Sequence, residues 1–239
     1  MPGFSREDRE RVVLWQGEPD SQAAHDAVLL WLGRKFSVFH AERPTGRNVN
    51  IVKGNLGEAV ALMLGDLDDY GSHHAFTANA HNPFQLKSDP DIDIVWVLFG
   101  PSPTEDVAIL QEVKATGNAD LSYANALLAD YEKLFGVDPK LTLRTRLDAL
   151  KVVAEYEWRR PELCPRITAL AGNAIATSPK IRLLPTLVHE SKGADPHTKM
   201  TVIRSRLVTR GWSDDCVSAW AIGFEDLDDR ILRLAMGQG

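Results

Sequence analysis

Cysteine is scarce in this chain. Cys164 and Cys216 are the only two in 239 residues, so no disulfide framework is expected and a reducing, cytoplasmic setting fits. Long hydrophobic runs are missing too: none approaches the roughly 20 apolar residues that cross a bilayer, and no membrane association is expected. Residues 1–10 are charged and offer no signal-peptide core. No Gly-x-Ser-x-Gly elbow and no Cys/His nucleophile arrangement is present. Lys53-Gly54-Asn55-Leu56-Gly57 lacks the Gly-Lys-Ser/Thr ending of a phosphate-binding loop. Internal repeats and low-complexity tracts are absent. Basic residues are in deficit, 27 Lys and Arg against 33 Asp and Glu for a net charge of −6, which argues against non-specific coating of nucleic acid.

What is present suits a globular domain of ordinary size, with 44% apolar and 25% charged residues. Its organising stretch is Asp91-Ile92-Asp93-Ile94-Val95-Trp96-Val97, followed by Ala108-Ile109-Leu110-Gln111-Glu112-Val113-Lys114. Both are rich in β-branched and aromatic residues, and Pro101, Ser102 and Pro103 lie between them, so they read as neighbouring antiparallel strands. Side chains alternate along a strand, which puts Glu112 and Lys114 on one face and Gln111 on the other, where it reads as structural. Asp91 and Asp93 likewise share a face. Buried charges of this kind are costly unless they serve one another or a cation.

Upstream, residues 53–65 read as a helix, with Asn55 as N-cap, Gly65 as stop and Glu58 in the first turn. Residues 5–16 read as a short charged helix and residues 21–32 as an amphipathic one, with Ala24, Ala27, Val28 and Trp31 on a stripe. An edge strand is expected over 36–39, a first core strand over 74–79 and a loop over 80–89. Helices are expected over 119–135 and 141–159, the latter ended by Pro161 and Pro165. Residues 181–189 have strand composition, with Pro185 pointing to an edge or bulge. A helix over 198–210 with Gly211 as stop, a buried strand over 217–224 and a closing helix over 227–236 complete the chain. The expectation is a mixed α/β sheet with helices on both sides. Residues 1–50 are taken as an N-terminal helical addition to a core over 51–239.

The order of a Glu-bearing helix, a strand, an Asp-bearing strand and a Glu-x-Lys strand resembles the PD-(D/E)XK nuclease superfamily. In that resemblance Asp93, or Asp91 with its preceding Pro90, supplies the first acid, Glu112-Val113-Lys114 the E-x-K, and Glu58 the helix acid. The resemblance implies a PD-(D/E)XK-like fold and a Mg²⁺-dependent endonuclease acting on DNA, with Mn²⁺ as a substitute. Asp93 and Glu112 would hold the ion with the Val113 carbonyl. Glu58 would bind that ion, a second one or a water, and Asp91 is a further candidate ligand. Lys114 would orient the attacking water or stabilise developing charge. A restriction or anti-phage defence role follows, and the layout bears a more distant resemblance to the small nuclease partner of a helicase in Hachiman-type systems. A helicase or other defence subunit, or a second copy of the chain, is the implied partner. A catalytically silent subunit that binds nucleic acid or scaffolds a helicase complex is the non-enzymatic alternative.

Other polar groups compete for attention. His73, His74 and His81 could form a transition-metal site with nearby acids. Tyr123 and Asn125 could touch a phosphate backbone, and His189-Glu190-Ser191-Lys192 reads as the end of a strand. Basic residues gather between Lys180 and Arg210, where Lys199, Arg204 and Arg206 are expected to contact phosphates while Val202, Ile203 and Leu207 face the sheet. Acids gather at Asp66, Asp68 and Asp69 and again at Asp214 and Asp215.

Overall fold

Strand alternation decides the architecture. The computed structural model describes residues 3–17, 22–35, 45–70, 75–77, 93–118, 120–136, 139–156, 159–172 and 178–237. Among them, one sheet is built from β1 (Phe4–Arg9), β2 (Val12–Gly17), β3 (Ala75–Thr77), β4 (Ile94–Leu98), β5 (Val107–Thr116), β6 (Ile181–Glu190) and β7 (Ala219–Phe224). Their order is β1-β2-β7-β6-β5-β4-β3. The central strands β2, β7, β6 and β5 run parallel, and β1, β4 and β3 join antiparallel at the two sides. The helices are α1 (Gln22–Lys35), α2 (Arg47–Leu64), α3 (Asn125–Gly136), α4 (Pro139–Tyr156), α5 (Cys164–Gly172), α6 (Pro196–Thr209) and α7 (Leu227–Ala235). This is the expected α/β fold, a mixed sheet flanked by helices.

Each sheet face has its own core. Val95, Leu110, Leu183, Leu187 and Ala221 face α3 to α6, whose Leu127, Leu150, Ile167 and Ile203 close over them. Ile94, Trp96, Val113, Val188 and Trp220 face α1, α2 and α7, which contribute Val28, Leu56, Met63 and Ile231. Central parallel strands covered on both sides are apolar in both directions, as burial on two faces requires.

The first departure from expectation lies at the N-terminus. Residues 5–16 form the hairpin β1–β2 rather than a helix, so the addition over 1–50 opens with two strands joined to the sheet. A helix of that length has little stability alone, whereas pairing β2 with β7 buries Val12 and Trp15. Trp15 meets Trp220 edge-on at 5.8 Å. The exposed charges of β1 mark it as an outer strand guarded against further pairing. The acid clusters are tied to this hairpin and its surroundings: Arg6 pairs with Asp68 and Asp69, Arg11 with Asp215.

Further corrections are local. α2 begins at Arg47, so Asn55 lies inside it and is buried rather than capping it. Gly65 does not end the helical path, which continues right-handed through a π-helical turn, Gly65–Asp69. Glycine is needed there for close approach, because a Cβ would collide with the Trp96 ring. Pro161 and Pro165 do not end a helix. They open the short 3₁₀ turn Pro161–Leu163 and the first turn of α5, where a missing N–H costs nothing. Pro185 lies at the centre of the sheet, between β5 and β7, and the β7 ladder skips past it from Leu183↔Val217 to Thr186↔Trp220. Gly211 does follow α6 as a stop, with a φ of +104° that suits glycine. The expected edge strand at 36–39, the loop over 80–89 and Asp91, His73, His74 and His81 lie outside the described residues.

Candidate active site

Because β2, β7, β6 and β5 are parallel, their C-terminal ends share one edge of the sheet. Antiparallel β4 brings its first residues to that same edge. The register Ile94↔Gln111 sets Asp93, the residue just before β4, across from Glu112. Glu112 and Lys114 follow Leu110 onto the face covered by α3 to α6, as the alternation predicts. Gln111 turns the other way and is fully buried. Its carbonyl oxygen accepts from the Trp96 indole at 2.7 Å and its amide donates to Thr186 at 2.9 Å, so its role is structural.

The charged trio is compact and mostly dry. Asp93 and Glu112 are 8% and 7% exposed. One Asp93 oxygen accepts the Val113 N–H at 2.7 Å. The Lys114 ammonium donates to Glu112 at 2.6 Å and lies 3.4 Å from the Val113 carbonyl, which therefore opens toward the same space although its side chain packs on the other face. Burial pushes the Glu112 carboxyl up to about 8, the negative charge of Asp93 adds to the rise, and Lys114 only partly opposes it. Burial alone would lower Lys114, but Glu112, Asp93 and Asp130 outweigh it and hold the amine well above its ordinary range.

Two residues of α3 complete the arrangement and were not singled out in the sequence. Asp130 reaches Lys114 at 2.8 Å, so the ammonium sits between two carboxylates. Tyr131 is fully buried, and its hydroxyl donates to the Leu110 carbonyl at 2.9 Å while accepting the Glu112 N–H at 3.1 Å. The tyrosine hydroxyl thus satisfies two backbone groups of β5 and pins the strand at Glu112. Burial, with the Glu112 charge adding to it, keeps this hydroxyl protonated. The available signal was the pair Asp130-Tyr131 on the helix that follows the Glu-x-Lys strand; the spacing alone does not say which helical residues look back at the sheet.

The other expected site residues are spread more widely. Glu58 is half-buried on α2, which packs over the opposite face: a Cβ at the adjacent Gly57 would touch Ala115 and Val188. The structure thus gathers Asp93, Glu112, Lys114 and the Val113 carbonyl, and puts Glu58 in the other layer. On α6, Ile203 and Leu207 are buried as expected, but Val202 is 40% exposed and Met200 takes the inward place. Arg204 donates to the Val217 carbonyl at 2.9 Å and pairs with Asp214, so its guanidinium fastens the turn before β7. Lys199 donates to the Asn125 side chain at 3.2 Å, and Arg206 is exposed. Tyr123 is half exposed on the turn leading into α3. At the end of β6, Glu190 accepts from the N–H of Leu227, the first residue of α7, which gives that segment a capping role.

Two carboxylates and a carbonyl are hard oxygen donors, the set that suits Mg²⁺ or Mn²⁺. Asp93 adds to the rise that burial imposes on the Glu112 carboxyl, and a cation between the two would relieve both. The donor set therefore fits a divalent ion. Among the described residues no three His, Cys, Asp or Glu side chains cluster into a metal site by themselves, so the Val113 carbonyl, water or groups beyond those residues would have to complete the shell of such an ion. No helix among the described residues is long and apolar enough to cross a membrane. Compared with known proteins, the chain matches no family model and no curated protein.

Proposed function

We propose that this chain is a divalent-cation-dependent nuclease of PD-(D/E)XK type that hydrolyses DNA phosphodiester bonds, serving restriction or anti-phage defence. The observation that carries the reading is the meeting of Asp93, Glu112 and Lys114 on one face at the sheet edge, on adjacent strands reached in the order α2, β3, β4, β5. Supporting it, the first helix after β5 covers that face, and β6 returns parallel to β5.

Phosphodiester hydrolysis needs a placed water, compensation of phosphate charge and help for the leaving oxygen. A cation, when bound, supplies positive charge for the phosphate and for the attacking water. Asp93 and Glu112 hold it; the hydrogen bond from the Val113 N–H orients Asp93, and Tyr131 fixes the strand under Glu112. Lys114, charged and anchored, directs the nucleophile or stabilises the negative charge of the transition state. Lys199 and Arg206 lie on the helix over the same face and bring phosphate groups toward it.

Supercoiled plasmid incubated with purified protein and Mg²⁺ or Mn²⁺ tests the reading. Nicking or cleavage is expected, lost in Lys114→Ala with the fold retained, and weakened more by Asp93→Asn than by Asp91→Asn. A wild-type protein inert on supercoiled, linear and single-stranded DNA would remove the nuclease reading in favour of a silent scaffold subunit. A larger defect for Asp91→Asn would move the first acid to that position.

A further inference from the structure

We propose that Asp130 is a positioning residue that keeps Lys114 at the site when Glu112 exchanges the lysine for a cation. The proposal rests on the nuclease reading for its catalytic consequence, and on geometry alone for the contact. The Lys114 ammonium lies 2.6 Å from a Glu112 oxygen and 2.8 Å from an Asp130 oxygen. Its side chain is 15% exposed, and those of Glu112 and Asp130 are 9% and 23% exposed. Glu112 has two competing duties in this arrangement. It accepts a hydrogen bond from the lysine, and it is one of the carboxyl groups that fit a cation.

An ammonium with Glu112 as its sole partner would be stranded in a nearly dry site once that carboxylate turned to a metal, and an unpaired buried charge is strongly unfavourable. Such a lysine would swing toward water and leave the place from which it can act on a nucleophile or a phosphate. Asp130 removes this conflict, since it holds the amine from α3 and takes no part in the Asp93–Glu112 pair. It comes from a helix whose register is fixed independently: the neighbouring Tyr131 is buried with its hydroxyl bonded to β5, and Leu127 and Leu128 are buried in the same core. The contact is therefore made by a rigid element and not by a loop. A carboxylate is required in this role, because an amide supplies a hydrogen-bond acceptor without the negative charge that balances the ammonium.

The test compares wild type with Asp130→Asn and Asp130→Glu in two assays, after thermal melts show that each variant is folded. In Mg²⁺-dependent plasmid nicking, Asp130→Asn is expected to lower kcat about 10- to 100-fold, the range found for groups that orient catalytic ligands. KM for plasmid should hold, and Asp130→Glu should recover most of the rate. The second assay is independent of activity. Acylation of Lys114 by an amine-directed reagent at one fixed pH is followed by mass spectrometry, with Lys180 as internal reference at the far end of the sheet. Lys114 should react several-fold faster in Asp130→Asn and near the wild-type rate in Asp130→Glu. Wild-type kcat in Asp130→Asn, or loss of rate without rescue by Asp130→Glu, overturns the positioning role. If the wild-type protein cuts nothing, the nuclease reading fails by itself, and the acylation rates alone decide whether Asp130 holds Lys114: unchanged protection in Asp130→Asn overturns the proposal.

Discussion

Glu112 carries the sharpest consequence at the scale of single residues. Its carboxyl titrates near 8 in the folded protein, raised first by burial and then by Asp93, while in the unfolded chain it titrates in the ordinary glutamate range. Between those two values the folded state keeps a proton that the unfolded state has lost, so stability falls as pH rises, by about 1.4 kcal/mol per unit from this group alone. Below the glutamate range, and again above about 8, Glu112 adds no slope. Glu112→Gln abolishes this term. Its melting temperature relative to wild type should climb between about pH 5 and 8 and then level off; a difference constant over that range would contradict the proposed environment of Glu112. The site residues themselves were legible because period-two alternation on a strand fixes which side chains share a face. Asp93, Glu112 and Lys114 meet for that reason. Asp130 and Tyr131 were not legible, since they belong to a helix whose facing toward the strand depends on tertiary packing.

Among the elements, α3 is fastened to β5 by a buried side chain. The Tyr131 hydroxyl donates to the Leu110 carbonyl and accepts the Glu112 N–H. Tyr131→Phe leaves the Glu112 N–H and the Leu110 carbonyl short of a buried partner. It should cost about 1–3 kcal/mol of stability in urea titrations, whereas a loss within experimental error would mean that the hydroxyl is not needed there. The composition of β6 predicted the strand correctly, but Pro185 pointed to an edge or a bulge, whereas β6 is central and keeps its register with β5 through Pro185, the missing N–H falling on the β7 side. The same gap between local and tertiary signals explains the N-terminal hairpin. Charged residues in β1 and apolar ones in β2 fit a short amphipathic helix about as well as two strands, and only the waiting edge of β7 decides between them. The interiors of α1, α2, α3, α4, α6 and α7 and the strands 94–98, 107–116 and 219–224 needed no such context and were read nearly as they stand. By contrast, α5 was not foreseen, because Pro161 and Pro165 read as helix ends rather than as first-turn residues.

At the scale of the whole molecule, a net charge of −6 has to be reconciled with the polyanionic substrate proposed for it. That figure already counts Arg6, Arg11 and Arg204, whose pairs with Asp68 and Asp69, Asp215 and Asp214 commit those guanidiniums within the fold. The cations left for phosphate are then ones such as Lys199 and Arg206 on α6. Arg204 therefore separates from its helix neighbours. Arg204→Ala should lower thermal stability and leave the salt dependence of DNA binding unchanged. Lys199→Ala and Arg206→Ala should each flatten the slope of log affinity against log salt by roughly 0.7–0.9 with little effect on stability. Slopes equal to wild type in both would assign these two side chains to the solvent surface only.

The central claim is that Asp93 and Glu112 hold the divalent ion on which DNA cleavage depends. The most direct measurement is a Mg²⁺ titration of single-turnover cleavage, after exhaustive chelation, for wild type and Glu112→Gln side by side. The account predicts no cleavage in chelated wild type, saturable recovery as Mg²⁺ is added, and no recovery in folded Glu112→Gln at any concentration. Cleavage by Glu112→Gln at the wild-type rate, or cleavage that persists without a divalent ion, would contradict it.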